Sequence, residues 1–168
     1  MPGLAWDATL KITKVQLELL SDPNMLLMIE SGIRGEIATI SHRHAKANNE
    51  YMGTEFDPVK EAKLISYLDA NILYGWAMSK QLPTFGFEWM TDDELDDLSC
   101  ILEVDLYYPE DLYNLHNDYH LAPERVYIGN VENLIPNLNN KTNYVVHYEN
   151  LKLYESLGLQ IAKIHRGI

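Results

Sequence analysis

Asp69 closes the apolar run Leu64-Ile-Ser-Tyr-Leu-Asp69, and a tyrosine, Tyr74, follows five residues later in Ala70-Asn-Ile-Leu-Tyr74-Gly-Trp-Ala-Met78. A carboxylate at the end of a buried strand is costly unless it binds something. Two chemistries fit. Its oxygens can accept the first free N–H groups of a following helix, or they can hold a divalent cation beyond the strand end. The run around Ile65 and Leu68 suits a short buried strand over 64–69. Leu73, Trp76 and Ala77 then recur at helical spacing, which predicts a helix over 71–80. Asp69 is thus expected at a strand-to-helix junction.

A second set of residues has phosphate chemistry. Arg34, Arg43 and Lys46, with His42 and His44, stand against one acid, Glu36, within residues 34–46. Cations on such a strip can contact nucleic-acid phosphates, and the plain alternative is a solvated strand edge. Glu88, Asp92, Asp93, Glu94, Asp96 and Asp97 crowd residues 88–97 instead, which reads as a charged helix start. The formal net charge of −12 runs against the basic footprint of most nucleic-acid enzymes, so any DNA contact is expected on the first strip and away from the second. His42 and His44 could ligate a metal across a strand face, but no third ligand is in view.

Several chemistries lack their residues. The chain has no P-loop, no Gly-rich dinucleotide turn after a strand, no Cys/His metal spacing and no serine elbow. A single cysteine, Cys100, permits no intrachain disulfide and is expected to pack as a small hydrophobe. With 168 residues, 46% of them apolar, the chain can bury one core. No apolar run reaches membrane-spanning length and the start lacks a secretory pattern, so a soluble intracellular protein with no membrane partner is expected.

The elements that must position these residues read as follows. Leu4–Leu10 suits a short helix and Val15–Leu20 a strand. Ser21-Asp-Pro-Asn starts a helix that Gly32 and Gly35 end, before an extended run over 36–41 and a loop over 47–58. Strand-like segments follow at Cys100–Leu106 and Asn143–Val146. Leu151–Leu157 is a helix stopped by Gly158, and Leu159–Ile164 is a final strand. The fold class is α+β. A subdomain boundary near residue 90 divides 1–90 from 91–168.

The Asp69–Tyr74 segment resembles motif A of family B DNA polymerases, of general form Asp-x-x-Ser-Leu-Tyr-Pro. It is closer still to the Asp-x-Asn-x-Leu-Tyr-Gly form of protein-primed polymerases of viruses and large transposons. Pro2-Gly-Leu-Ala-Trp-Asp7, Leu17-Glu-Leu-Leu20, Gly32-Ile-Arg-Gly35, Ile40-Ser-His-Arg-His-Ala-Lys-Ala-Asn-Asn49, Asp105-Leu-Tyr-Tyr-Pro109, Leu115-His-Asn-Asp-Tyr119, Leu121-Ala-Pro123 and Asn143-Tyr-Val-Val-His-Tyr148 are similar to further landmarks of that group, in the same order.

That resemblance implies a partial polymerase palm followed by an insertion subdomain that grips a priming protein and upstream duplex. It implies nucleotidyl transfer from a dNTP to a DNA primer or priming protein, with two Mg2+ ions held by carboxylates. Asp69 would bind both metals, and the Ala70 carbonyl would touch the triphosphate-bound one. Ala70, Asn71, Leu73 and Tyr74 would line the nucleotide site, with the Tyr74 ring under the incoming sugar and excluding a 2′-hydroxyl. Arg34, Gly35, His42, Arg43 and Lys46 would contact template-primer DNA. Asp105, Tyr107, Asp118 and Tyr119 belong to the insertion, although acids and tyrosines in strands are usually surface or edge residues.

The chain departs from the family at two places. Glu36 replaces the second glycine of a template-contacting loop, and Ile72 stands where relatives carry serine or asparagine. The lysine-and-tyrosine motif and the Asp-Thr-Asp motif are not among these 168 residues, nor are the proofreading carboxylates, so the expectation is a fragment that is inactive alone. The alternative is a non-catalytic nucleic-acid- or protein-binding remnant of a mobile-element polymerase. A generic acid-pair hydrolase is weaker, since Asp69 has no defined partner carboxylate.

Overall fold

Alternating apolar residues on one strand organise the larger part of the molecule. In the computed structural model, which describes residues 2–35, 37–80, 82–90 and 101–168, β1 (Ile101–Tyr107) buries Leu102, Val104 and Leu106 on one face. Leu102 is 1% exposed and Val104 0%. The strand lies at the centre of an antiparallel sheet of order β4-β1-β5, with β4 at Lys141–His147 and β5 at Gln160–Gly167. Tyr144 and Val146 of β4, Leu151 of the helix Tyr148–Ser156, and Tyr108, Leu121, Ala122 and Leu159 complete this core. Each fully buried aliphatic side chain contributes about 1.5–3 kcal/mol.

The chain divides into two compact units, one of residues 1–37 with 82–168 and one of residues 38–81. Residue 90, near which the sequence suggests a subdomain boundary, therefore lies inside the first unit. Both units mix helix with irregular or extended chain, and the fold is α+β with antiparallel sheets, as expected.

In the first unit α1 spans Pro2–Thr13, longer than the expected 4–10. The strand expected over 15–20 does not form. Among the described residues its one backbone bond to another segment runs from the Glu18 N–H to the Thr84 carbonyl at 2.9 Å, and Leu19 is exposed. Alternation predicts a strand only where a ladder partner and a covering layer exist, and the described residues supply neither here. α2 (Pro23–Gly32) starts at Asp22 rather than Ser21, the Asp22 carboxylate accepting from the Asn24 N–H at 2.7 Å.

β4 is covered on both faces. Tyr144 and Val146 face the core, while Val145 points to α2, where a Cβ on Gly32 would come within 2.9 Å of its Cγ1. Glycine at 32 is therefore a condition of this close approach. A bulge at Asn143, with φ of 51°, shifts the β1–β4 register, and the Asn143 N–H donates to the Asp105 carboxylate at 2.8 Å. That bond, and then His165 at 2.9 Å, hold the Asp105 carboxyl below its ordinary range.

The sequence reading missed a hairpin, β2 (Glu124–Ile128) with β3 (Val131–Ile135). It is fixed at its base by polar groups. The Lys141 ammonium, 1% exposed, contacts the Glu124 carboxylate at 3.2 Å and the side-chain carbonyl of Asn137. Burial pushes that ammonium's pKa down and Glu124 opposes the shift. Nearby, the buried Tyr108 hydroxyl is 2.7 Å from His116 Nδ1 and accepts from the Leu121 N–H.

The later elements agree with expectation. The helix Tyr148–Ser156, extending a turn before the expected 151–157, is capped by the His147 imidazole and stopped at Gly158. The final strand continues to Gly167. Asp105 and Tyr107 lie on β1, and Tyr119 is exposed. The acidic residues 92–97 and Cys100 lie outside the described residues. No described helix is long and apolar enough to cross a membrane.

Candidate functional site

The second unit, residues 38–81, holds most of the residues with candidate chemistry. Its architecture comes from two asparagines. Asn48 Nδ2 donates to the carbonyls of Asp57 (3.0 Å), Glu61 (3.1 Å) and Lys60 (3.3 Å), and its Oδ1 accepts from the Asp57 N–H at 2.9 Å. Backbone bonds between Asn48 and Lys63 run in both directions, at 2.7 and 2.9 Å. Asn49 caps a 3-10 turn over Glu50–Glu55 through the Tyr51 N–H, and its Nδ2 donates to the Lys63 carbonyl. The segment 47–58, expected as a plain loop, is thus a tied loop with a helical turn inside it.

Residues 61–74 are all exposed. The buried strand expected over 64–69 is absent, and Leu68 is 89% and Tyr67 95% exposed. The apolar run has the composition of a strand covered on both faces, but no described segment of this unit supplies a ladder for it. The helix that follows is α3 (Leu73–Met78), shorter than the expected 71–80.

Asp69 does not cap that helix. The capping position is Ile72, with φ 58° and ψ 34°, and no side chain caps there. The Asp69 carboxylate is exposed and makes no hydrogen bond or ion pair among the described residues. Ala70 and Asn71 are exposed beside it, and Leu73 and Tyr74 occupy the first turn of α3. The left-handed region is costly for a β-branched residue, by about 1–2 kcal/mol, and asparagine visits it more readily. Gly75 accommodates the turn, since a Cβ there would meet Ile72 Cγ2 at 2.6 Å.

The basic strip is divided by the fold. Arg34 belongs to the first unit, where Nη1 donates to the carbonyls of Val145 (2.7 Å) and Gly32 (3.0 Å) and the guanidinium lies 3.9 Å from the Tyr144 ring centroid. Burial lowers its pKa, though the group remains a cation. Arg34 therefore seals the outer edge of β4, and that engagement leaves it poorly placed as a phosphate contact. Gly35 is exposed, and a Cβ added to it would meet nothing within 4 Å, while Glu36 lies outside the described residues.

Arg43, His42 and Lys46 are exposed in the second unit. His42, His44 and Lys46 share a shallow groove with Lys63, Leu64 and Ile65, at the start of the run that leads to Asp69. Lys46 also borders a cavity of about 260 Å3 with Lys60 and Lys63, shared with Glu55, Asp57 and Glu61. The fold thus brings His42 and Lys46 to the 64–65 end of the segment.

No three His, Cys, Asp or Glu side chains converge to hold a metal among the described residues. Asp69 alone offers one carboxylate, which does not make the donor set of a two-ion site. Sequence reasoning assigned no role to Asn48, although an asparagine pair between apolar runs is the composition of a side-chain-tied loop. Compared with known protein families, with curated proteins and with solved structures, the chain matches none.

Proposed function

We propose that the chain is a piece of a DNA-directed DNA polymerase of family B, protein-primed type, inactive by itself. The observation that carries this reading is the segment Tyr67-Leu-Asp-Ala-Asn-Ile-Leu-Tyr74-Gly, standing in order among landmarks along nearly the whole chain. Two features of the second unit are compatible with it: the Asp69 carboxylate is unengaged among the described residues, and Tyr74 follows it across a tight turn on a helix.

In this reading Asp69 supplies one carboxylate toward Mg2+, and Ala70, Asn71, Leu73 and Tyr74 face the dNTP. His42, Arg43 and Lys46 approach template-primer DNA. The bound metals would polarise the triphosphate and activate the primer hydroxyl. The remaining ligands would come from polymerase segments outside these 168 residues, and a priming terminal protein is the further partner.

The second reading, a non-catalytic remnant that binds nucleic acid or protein, is favoured by Ile72. A left-handed turn that suits asparagine carries a β-branched residue instead.

Grafting residues 64–80 into a complete protein-primed polymerase tests both. If the polymerase reading holds, the graft extends a primer, Asp69→Asn abolishes extension, and Tyr74→Ala raises the ratio of ribonucleotide to deoxynucleotide incorporation. A ratio unchanged by Tyr74→Ala, with both activities lowered equally, would remove the role given to that residue. A graft that is inactive until Ile72→Asn is added supports the remnant.

A further inference from the structure

We propose that the β2–β3 hairpin is a self-association arm, through which two copies of this chain pair β3 against β3 in antiparallel register. The hairpin is a sheet of only two strands, a form that is marginally stable unless something packs on it. β2 carries the tethers to the body of its unit: Arg125 Nη2 donates to the Ile33 carbonyl at 2.7 Å, and Glu124 meets Lys141 and Asn137. Among the described residues the polar side-chain contacts of β3 stay within the hairpin, Glu132 to Arg125 and Asn133 to the Val131 carbonyl. Neither outer edge of the hairpin has a backbone partner among the described residues, and β3, whose polar side chains reach nothing beyond the hairpin, is the edge left open to a partner. The turn end of the hairpin is apolar, with Ile128 of β2 61% and Val131 of β3 62% exposed and Tyr127 of β2 exposed beside them.

The register follows from the turn. Ile128 pairs with Val131 across Gly129-Asn130, Val126 with Asn133, and Glu124 with Ile135. Residues that close a two-residue turn exchange backbone bonds, and such pairs alternate with unbonded ones. Glu132 and Leu134 therefore direct their N–H and C=O groups outward. A two-fold axis at Asn133 sets Glu132 opposite Leu134 of the second copy, and Leu134 opposite its Glu132. Every outward group on these two residues then meets an outward group.

On the other face this register sets Val131 opposite Ile135 of the second copy. The row Ile128, Val131, Ile135 becomes continuous and apolar. No like charges face each other, so the edge is complementary to itself. Nucleic acid fits the edge poorly, because residues 126–131 carry no cation, Glu132 is an anion, and Arg125 is already engaged. The paired edges are short, which places the interface below the size of stable complexes, with a dissociation constant on the order of 10 µM or weaker.

Sedimentation velocity on the full chain, from about 1 to 500 µM, reads the proposal. The mass should rise from 19.3 kDa toward twice that value. Asn133→Lys and Asn133→Glu each oppose like charges across the axis and should weaken association by about tenfold or more. An equimolar mixture of the two should associate again, which a misfolded variant would not do. Glu132→Pro removes an outward N–H while leaving the hairpin's own ladder, and should abolish pairing. A monomer at every concentration overturns the proposal. So does association that the Asn133 variants leave unchanged, since the contact would then lie on another surface, and so does a mixture that fails to recover.

Discussion

The two units solve the same problem with different materials. The larger one buries a continuous apolar face, Leu102, Val104 and Leu106 against Tyr144, Val146 and Leu151. The smaller one contains no buried residue among those described, and its order comes from Asn48 and Asn49 reaching the backbone of residues 51–63. Apolar burial is cooperative and indifferent to direction, so it fixes a whole layer. A side-chain amide fixes only the groups it touches. That is why Asp69, Asn71 and Tyr74 stand on exposed chain while Asp105, on the central strand of the larger unit, is held by two partners.

Four substitutions break or sharpen this contrast. The largest effect belongs to Leu102→Ala, which should lower global stability by about 3 kcal/mol in denaturant unfolding, since it removes a fully buried side chain and leaves a cavity. Leu68→Ala, a change of the same chemistry at an 89% exposed site, should stay within about 0.5 kcal/mol. Equal losses at the two positions would mean that the 64–70 run is covered in solution.

Asn48→Ala comes next. It strands the Asp57 N–H and the carbonyls of Asp57, Lys60 and Glu61, and should destabilise the 48–63 loop by about 1–3 kcal/mol. Amide hydrogen exchange should speed up across 48–63 and stay unchanged in β1. Protection lost in both regions would mean that one cooperative unit spans them.

The last change has the opposite sign. Ile72→Asn relieves the left-handed strain and supplies a capping side chain, and should slow proteolysis near α3 by about five- to tenfold, or about 1 kcal/mol. No change in the cleavage rate would show that the turn at Ile72 carries no strain.

Legibility differed between the units for a physical reason. Leu102, Val104 and Leu106 alternate in sequence and alternate in the sheet, and Gly158 stops the last helix where it was expected. The Leu64–Asp69 run has equally good strand composition and forms no ladder. Composition states what a segment suits and cannot supply its neighbour. Val15–Leu20 failed in the same way, with one backbone bond to Thr84 in place of a paired strand. The β2–β3 hairpin was missed because Glu124 to Ile135 mixes charges and apolar residues with no regular period, and its base is fixed by contacts distant in sequence, to Lys141 and Ile33.

The sequence by itself determined the α+β class, the alternating core strand, the helix stop at Gly158 and the ordered motifs on which the polymerase proposal rests. Tertiary structure alone decided how the basic strip is used. Arg34 and Arg43 are nine residues apart and chemically alike, yet Arg34 is drawn onto the Val145 carbonyl and the Tyr144 ring while Arg43 remains exposed. The difference is where α2 ends: its packing on β4 places Arg34 beside an unpaired sheet edge, and a guanidinium next to free carbonyls donates to them.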